Sequence, residues 1–175
     1  DPEKILFPED VTVTAADAGW QARLDVGNEE LLEDLESFGR GDKYAREGFD
    51  YRLISRRIPN SFNSCGTDTD GLRDRYMGNP AFMHPQDMLD KGLERGDVVI
   101  IQSPHNEVEA VAWPDKDLRR GLVSLSHGWG ENPGGQGDVR RVGANSGRLM
   151  SVEVDCDRFS GIPLMSALPV KILPR

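Results

Sequence analysis

Apolar residues recur along this chain with two different periods, and the change from one to the other near residue 50 divides it. In NEELLEDLESFG (28–39), Leu31, Leu32, Leu35 and Phe38 fall at helical spacing, with Asn28 placed to cap the start and Gly39 to stop the end. The pattern predicts an amphipathic helix inside a polar flank, followed by a linker, GRGDKYAREG (39–48). Two partners suit its apolar stripe, a neighbouring domain or the sheet that follows. The expected organisation is a flank over residues 1–50 and one domain over residues 51–175.

From residue 51 the apolar runs shorten to strand length and are punctuated by Gly, Pro, Asn and Asp. Strands are predicted at YRLISRR (51–57), DVVIIQS (97–103), EVEAVAW (107–113), GLVSLS (121–126), RLMSVEV (148–154) and ALPVKIL (167–173). Pro104-His105-Asn106 is short enough to join the second and third as a hairpin. In HPQDMLDKG, Pro85 suits the first position of a short helix and Gly92 its stop. Six short strands with one or two small helices suggest a mainly β fold closed into a barrel, because closure removes exposed sheet edges. No internal repeat or low-complexity tract is present.

Composition narrows the function classes. A length of 175 residues, 37% hydrophobic and 29% charged, suits one globular domain with an appended segment. The net charge of -9 argues against a nucleic-acid groove, which needs clustered Lys and Arg. No run approaches the ~18 apolar residues of a membrane helix, and Asp1-Pro2-Glu3-Lys4 has no signal-peptide character, so a soluble, cytoplasmic protein without membrane partner is expected. The start at Asp1 also fits a processed chain or a piece of a longer one. Cys65 and Cys156 are the only cysteines, too few for an iron-sulfur or four-cysteine zinc cradle. Free thiols suit a reducing compartment, and a single bridge between them stays open.

The ionisable residues make a weak enzyme. His84 and His105 neighbour prolines, and no two histidines share a helix face at metal-ligand spacing, so neither a catalytic group nor a metal site is assigned. No nucleophile elbow of the G-x-S-x-G kind occurs. The loops carry more. SHGWGENPGGQGD (126–138) sets a His, a Trp and repeated glycines directly after a strand, which suits close backbone approach to a ligand, amides for phosphate and an indole for an aromatic ring. A long surface loop has the same composition. SRRIPNSFNSCGTDTDG (55–71) offers two arginines and several Asn and Ser for hydrogen bonds to an anion, and equally suits a solvated face. Both leave strand ends, which points to one shared, phosphate-bearing, heterocyclic ligand.

The order LISRR, FNS, GNPAFMHPQDMLDKGLERGDVVII, LRRGLVSLSHGWG, GAN and RFSGIPLMSALPVKI, from about residue 51 to 173, resembles the molybdopterin-dinucleotide-binding domain of the dimethyl sulfoxide reductase and formate dehydrogenase-like superfamily. The resemblance implies a six-stranded double-psi β-barrel, mainly β with short helices and here preceded by a helical flank. It implies binding of molybdopterin guanine dinucleotide, with molybdenum or tungsten held elsewhere in a larger oxidoreductase. Carried over by motif, the cofactor-binding residues are Ser55, Arg56, Arg57, Asn63, Ser64, His127, Gly128, Trp129 and Asn145. Asn145 stands out because an amide can donate and accept along a pterin edge.

The superfamily's cysteine-rich segment and metal ligand have no counterpart here, so the chain alone is expected to be inactive and to carry no bound cofactor, its partners being the preceding domains of a parent enzyme. A stand-alone double-psi barrel serving as a binding subunit or interaction module is the alternative. A barrel decarboxylase that makes its own pyruvoyl group is disfavoured, since no Gly-Ser pair occurs.

Overall fold

The structure, a computed structural model, describes residue Gly19, residues 26–40, 45–67, 69–71, Arg75, 77–130 and 137–175. It comprises two compact units, Asp1–Lys43 and Tyr44–Arg175. In the first, α1 (Glu29–Gly39) begins where the sequence places it: the Asn28 side chain accepts from the Leu31 N–H at 3.1 Å, and Glu29 and Glu30 complement the helix dipole in the first turn. The helix runs through Gly39 and ends on Arg40. Leu31, Leu32, Leu35 and Phe38 are all exposed. Residues 41–44 of the expected linker lie outside the described residues.

The second unit is a closed barrel of six strands. These are β1 (Tyr51–Arg56), β2 (Ala81–Met83), β3 (Val98–Gln102), β4 (Glu107–Pro114), β5 (Leu122–Ser126) and β6 (Leu168–Pro174), in the circular order β1-β5-β2-β4-β3-β6. Pairs β1/β5 and β2/β4 are parallel and the other described pairings antiparallel, the mixed arrangement of a double-psi barrel. Period-two alternation sends Leu53, Val99, Ile101, Val123, Leu125, Val170 and Ile172 inward, each at most 2% exposed. Alanines 81, 110 and 112 pack at zero exposure among these larger side chains, as a narrow barrel requires.

The β3–β4 hairpin turns as predicted. Ser103 N–H donates to the Asn106 carbonyl at 2.8 Å, and Ser103 Oγ accepts from the amides of His105 and Asn106. The short helix α2 (Pro85–Asp90) has proline in its first turn and His84 Nδ1 as its cap, accepting from Gln86 N–H at 3.0 Å. Its buried Asp87 fastens it to the entry of β5, accepting from Gly121 N–H at 2.7 Å and Arg120 Nε at 2.8 Å. Arg56 reaches across the barrel wall, its guanidinium 3.9 Å over the Phe82 ring and paired with Asp115. That hydrogen bond, opposed by partial burial, holds the Asp115 carboxyl below the usual carboxylate range.

One predicted strand is wrong and one was missed. Residues 148–154 form no strand: Ser146–Leu149 is a turn of 3-10 helix, after which Ser151 Oγ accepts from the amides of Glu153 and Val154 and bends the chain away. Val152 and Val154, which the alternation would have placed inward, are 81% and 53% exposed. The sixth stave is Ala81–Met83 instead, three residues too short to show any period.

Candidate functional site

Parallel pairing sets Arg56 of β1 beside Ser126 of β5, so both chain segments leave the barrel at one end and run on together. A Cβ built on Gly128 would sit 2.6 Å from the Asn63 carbonyl carbon and oxygen; one on Gly130 would sit 2.4 Å from the Asn145 nitrogen. Both glycines have positive φ, 80° and 74°, a conformation that L side chains resist. Glycine therefore lets three segments, 61–65, 127–130 and 142–147, lie backbone against backbone. Gly130 N–H donates to the Val142 carbonyl at 2.9 Å.

Asn79 locks this stack from beneath. It is 1% exposed, and its Nδ2 donates to the carbonyls of Ser126 at 2.6 Å and Ala144 at 2.9 Å while its Oδ1 accepts from the Ala144 N–H at 2.6 Å. Three bonds from one carboxamide thus fix the exit of β5 relative to the strip that carries Asn145. Sequence reasoning passed over Asn79; its one signal was an Asn-Pro pair, which reads as a turn.

On the outer side, Asn63 Oδ1 takes hydrogen bonds from Arg57 Nη1 and from His127 Nε2, the latter at 3.0 Å. Arginine only donates, so the Asn63 atom facing it is the oxygen, and His127 must then donate through Nε2–H to the same oxygen. A neutral His127 consequently keeps its bare acceptor at Nδ1, which is buried and unpartnered. The Trp129 Nε1 is buried and unpartnered as well. Buried polar atoms without a protein partner are uncommon, and these two lie two residues apart in one loop.

The nine sequence-predicted residues divide into groups. Arg57, Asn63, His127 and Gly128 meet in one cluster, with Ser64 exposed beside it. Asn145 sits across Gly130 from that cluster, capping the 3-10 turn by accepting from Gly147 N–H at 2.9 Å. It borders a cavity of about 210 Å³ with Gly130, Gly143, Glu107, Glu109 and Arg148. Small-molecule pockets usually begin near ~300 Å³, so this is a wall or a corner rather than a complete site. Ser55 and His127 line a separate gap of about 10 Å³, roughly one water in size. Arg56 is committed to Asp115 and Phe82 on the barrel wall. Trp129 is 2% exposed and packs with Ile58, so its ring face is core rather than surface.

Among the described residues no three His, Cys, Asp or Glu side chains converge as a metal cage, and no helix is long and apolar enough to cross a membrane. Cys65 and Cys156 are free thiols.

Comparison with known proteins sets this geometry in context. No curated protein matches the chain. Among solved structures it is similar to acetylene hydratase from Pelobacter acetylenicus, with a TM-score of 0.62 and 19% identity over 82% of this chain and 20% of that one. At that identity the likeness speaks for the fold alone, and the chain spans about a fifth of its relative. The Molydopterin dinucleotide binding domain family matches residues 51–168, from the first barrel strand to the start of the last, and the chain belongs to that family.

Proposed function

We propose that the barrel forms one wall of the binding site for a molybdopterin guanine dinucleotide in a larger molybdenum or tungsten oxidoreductase, where it binds and orients the cofactor and does no chemistry alone. The observation that carries this reading is the glycine-mediated meeting of segments 61–65, 127–130 and 142–147 at one barrel end.

The residues fit such a group. Along this strip the amides of Gly130, Gly143, Ala144 and Gly147 are engaged within the fold, while those of Ser64 and Gly128 have no acceptor among the described residues and suit phosphate oxygens. Arg57 adds a cation at the same edge. Asn145 can donate through Nδ2, since only its Oδ1 is engaged among the described residues. The metal carried by the bound dinucleotide supplies the electron-pair or oxygen-atom chemistry. This chain's own residues grip and orient: Asn63 fixes the His127 tautomer, and Asn79 holds the Asn145 strip at its distance from β5. Preceding domains of the parent supply the metal ligand and the rest of the cleft, in a cytoplasmic enzyme without nucleic-acid or membrane partners.

The test is to isolate from its native host the polypeptide that contains this sequence, and to measure pterin, guanine nucleotide, molybdenum and tungsten per chain. One or two dinucleotides with one metal are expected. A polypeptide that ends at these residues and carries no pterin would favour the stand-alone barrel instead.

A further inference from the structure

Phe62 is 78% exposed, yet it sits on one of the most constrained turns in the barrel unit. Its N–H donates to the Cys65 carbonyl at 3.2 Å and its carbonyl accepts from Cys65 N–H at 2.9 Å, a reciprocal pair that closes the turn. Asn60 and Asn63, on either side, hold positive φ of 68° and 56°. The close approach of Gly128 to Asn63 and Ser64 pins the turn to the neighbouring loop. A large aromatic ring is thus presented to solvent by backbone that is not free to fold it inward.

The surroundings of the ring say what it is for. A protein-docking patch would set further apolar side chains beside it in the turn, but its neighbours along the chain are Ser61, Asn63 and Ser64. Asn63 has its oxygen saturated by Arg57 and His127, which leaves its Nδ2 without a partner among the described residues. A flat apolar face beside oriented polar groups is the pattern that recognises a planar heterocycle: the ring stacks and the amide meets an acceptor on its edge. We propose that Phe62 is the stacking platform for the fused aminopyrimidinone ring that pterin and guanine share. The proposal rests on the cofactor-binding reading above and adds to it a contact residue and the part of the ligand it holds.

The experiment uses the 175-residue chain, with neopterin in one arm and guanosine monophosphate in the other, each at millimolar concentration, following the ligand's ring proton by NMR. In the wild type the proton of the stacked heterocycle moves upfield and saturates, and the arm in which this happens identifies pterin or guanine as the source. Phe62→Leu should abolish the upfield movement and weaken binding about tenfold. Phe62→Trp should retain both, and Lys116→Ala, far exposed on the β4–β5 connection, should leave them unchanged. Binding of equal strength and equal shift in Phe62→Leu overturns the stacking role alone. Absence of binding to the wild type in both arms overturns the stacking proposal, whereas the cofactor-binding reading falls only if the parent polypeptide isolated from its host carries no pterin. Because Phe62 is exposed, its replacement leaves the core intact, and an unchanged melting temperature verifies that.

Discussion

Replacing Asn79 with alanine removes three hydrogen bonds from a residue that is 1% exposed, and strands the carbonyls of Ser126 and Ala144 and the amide of Ala144 where water reaches poorly. A neutral hydrogen bond contributes about 1 kcal/mol net and a buried group left unmatched costs about 1–3 kcal/mol, so with partial relaxation the loss should reach about 3–5 kcal/mol. Urea unfolding of the chain, followed by far-ultraviolet circular dichroism, measures it directly. The melting temperature should fall by about 10 °C or more. Asn79→Asp makes a sharper test. At neutral pH its carboxylate keeps the bond from Ala144 N–H but faces two carbonyl oxygens without a proton to offer, so it should be less stable than the alanine variant. Its folded-state pKa must then lie above the unfolded value. Stability relative to alanine is accordingly greatest below about pH 4 and is lost as pH rises through the folded pKa. A loss under about 1 kcal/mol for Asn79→Ala, or an Asp variant whose deficit does not shrink on acidification, would refute the claim that this carboxamide holds the two segments together.

Gly130→Ala forces a methyl to within 2.4 Å of the Asn145 nitrogen at positive φ; it should cost at least about 2 kcal/mol in urea and alter amide shifts of residues 143–147, whereas Gly92→Ala, with open space around it, should leave those shifts alone. Asp115 is held below its usual pKa by Arg56, so its contribution is present above about pH 4 and lost as pH falls through the depressed folded value. Asp115→Asn should be less stable at neutral pH and show a flatter loss in acid, seen by comparing urea midpoints from pH 7 to 2.5. In the parent enzyme, Asn145→Ala should remove one or two hydrogen bonds to the cofactor and weaken its retention by roughly 1–3 kcal/mol; pterin content per polypeptide equal to that of Lys116→Ala would count against it.

How much of this was legible depends on how far each signal extends along the chain. The β3–β4 hairpin, the capped α2 and α1 with its Asn28 cap were readable because pattern, cap and turn all sit within one short stretch of chain, the longest being Val98 to Pro114. Ala81–Met83 was not, since a three-residue strand has no period and owes its existence to β4 and β5 on either side. The opposite failure occurred at 148–154, where a clean alternation was overruled by a Ser151 turn in a barrel whose six places were already filled.

The candidate site shows the same division between local and distant causes. Its glycines and polar side chains announced themselves by composition, but which of them meet depended on contacts spanning 64 residues from His127 to Asn63 and 65 from Asn79 to Ala144. Motif resemblance grouped Arg56 with Arg57, and Trp129 with His127, because they are sequence neighbours. In the fold, neighbours on a strand end or a tight loop diverge. Arg57 turns to Asn63 while Arg56 lies along the wall on Phe82, and His127 reaches the surface cluster while Trp129 turns inward to Ile58. For Arg56 and Arg57 this is the ordinary alternation of extended backbone, whereas His127 and Trp129, two residues apart, are turned from one another by the positive φ of Gly128 between them. A binding role assigned to both members therefore asks one of them to leave a packed position, and for Arg56 that means giving up the Asp115 pair. If the ligand does draw Arg56 away, the Asp115 carboxyl loses the bond that depresses it. Ligand binding would then raise the Asp115 pKa and take up protons on acid titration near pH 4. If Arg56 stays on the wall, binding will be proton-neutral there, and Arg57 alone supplies the cation.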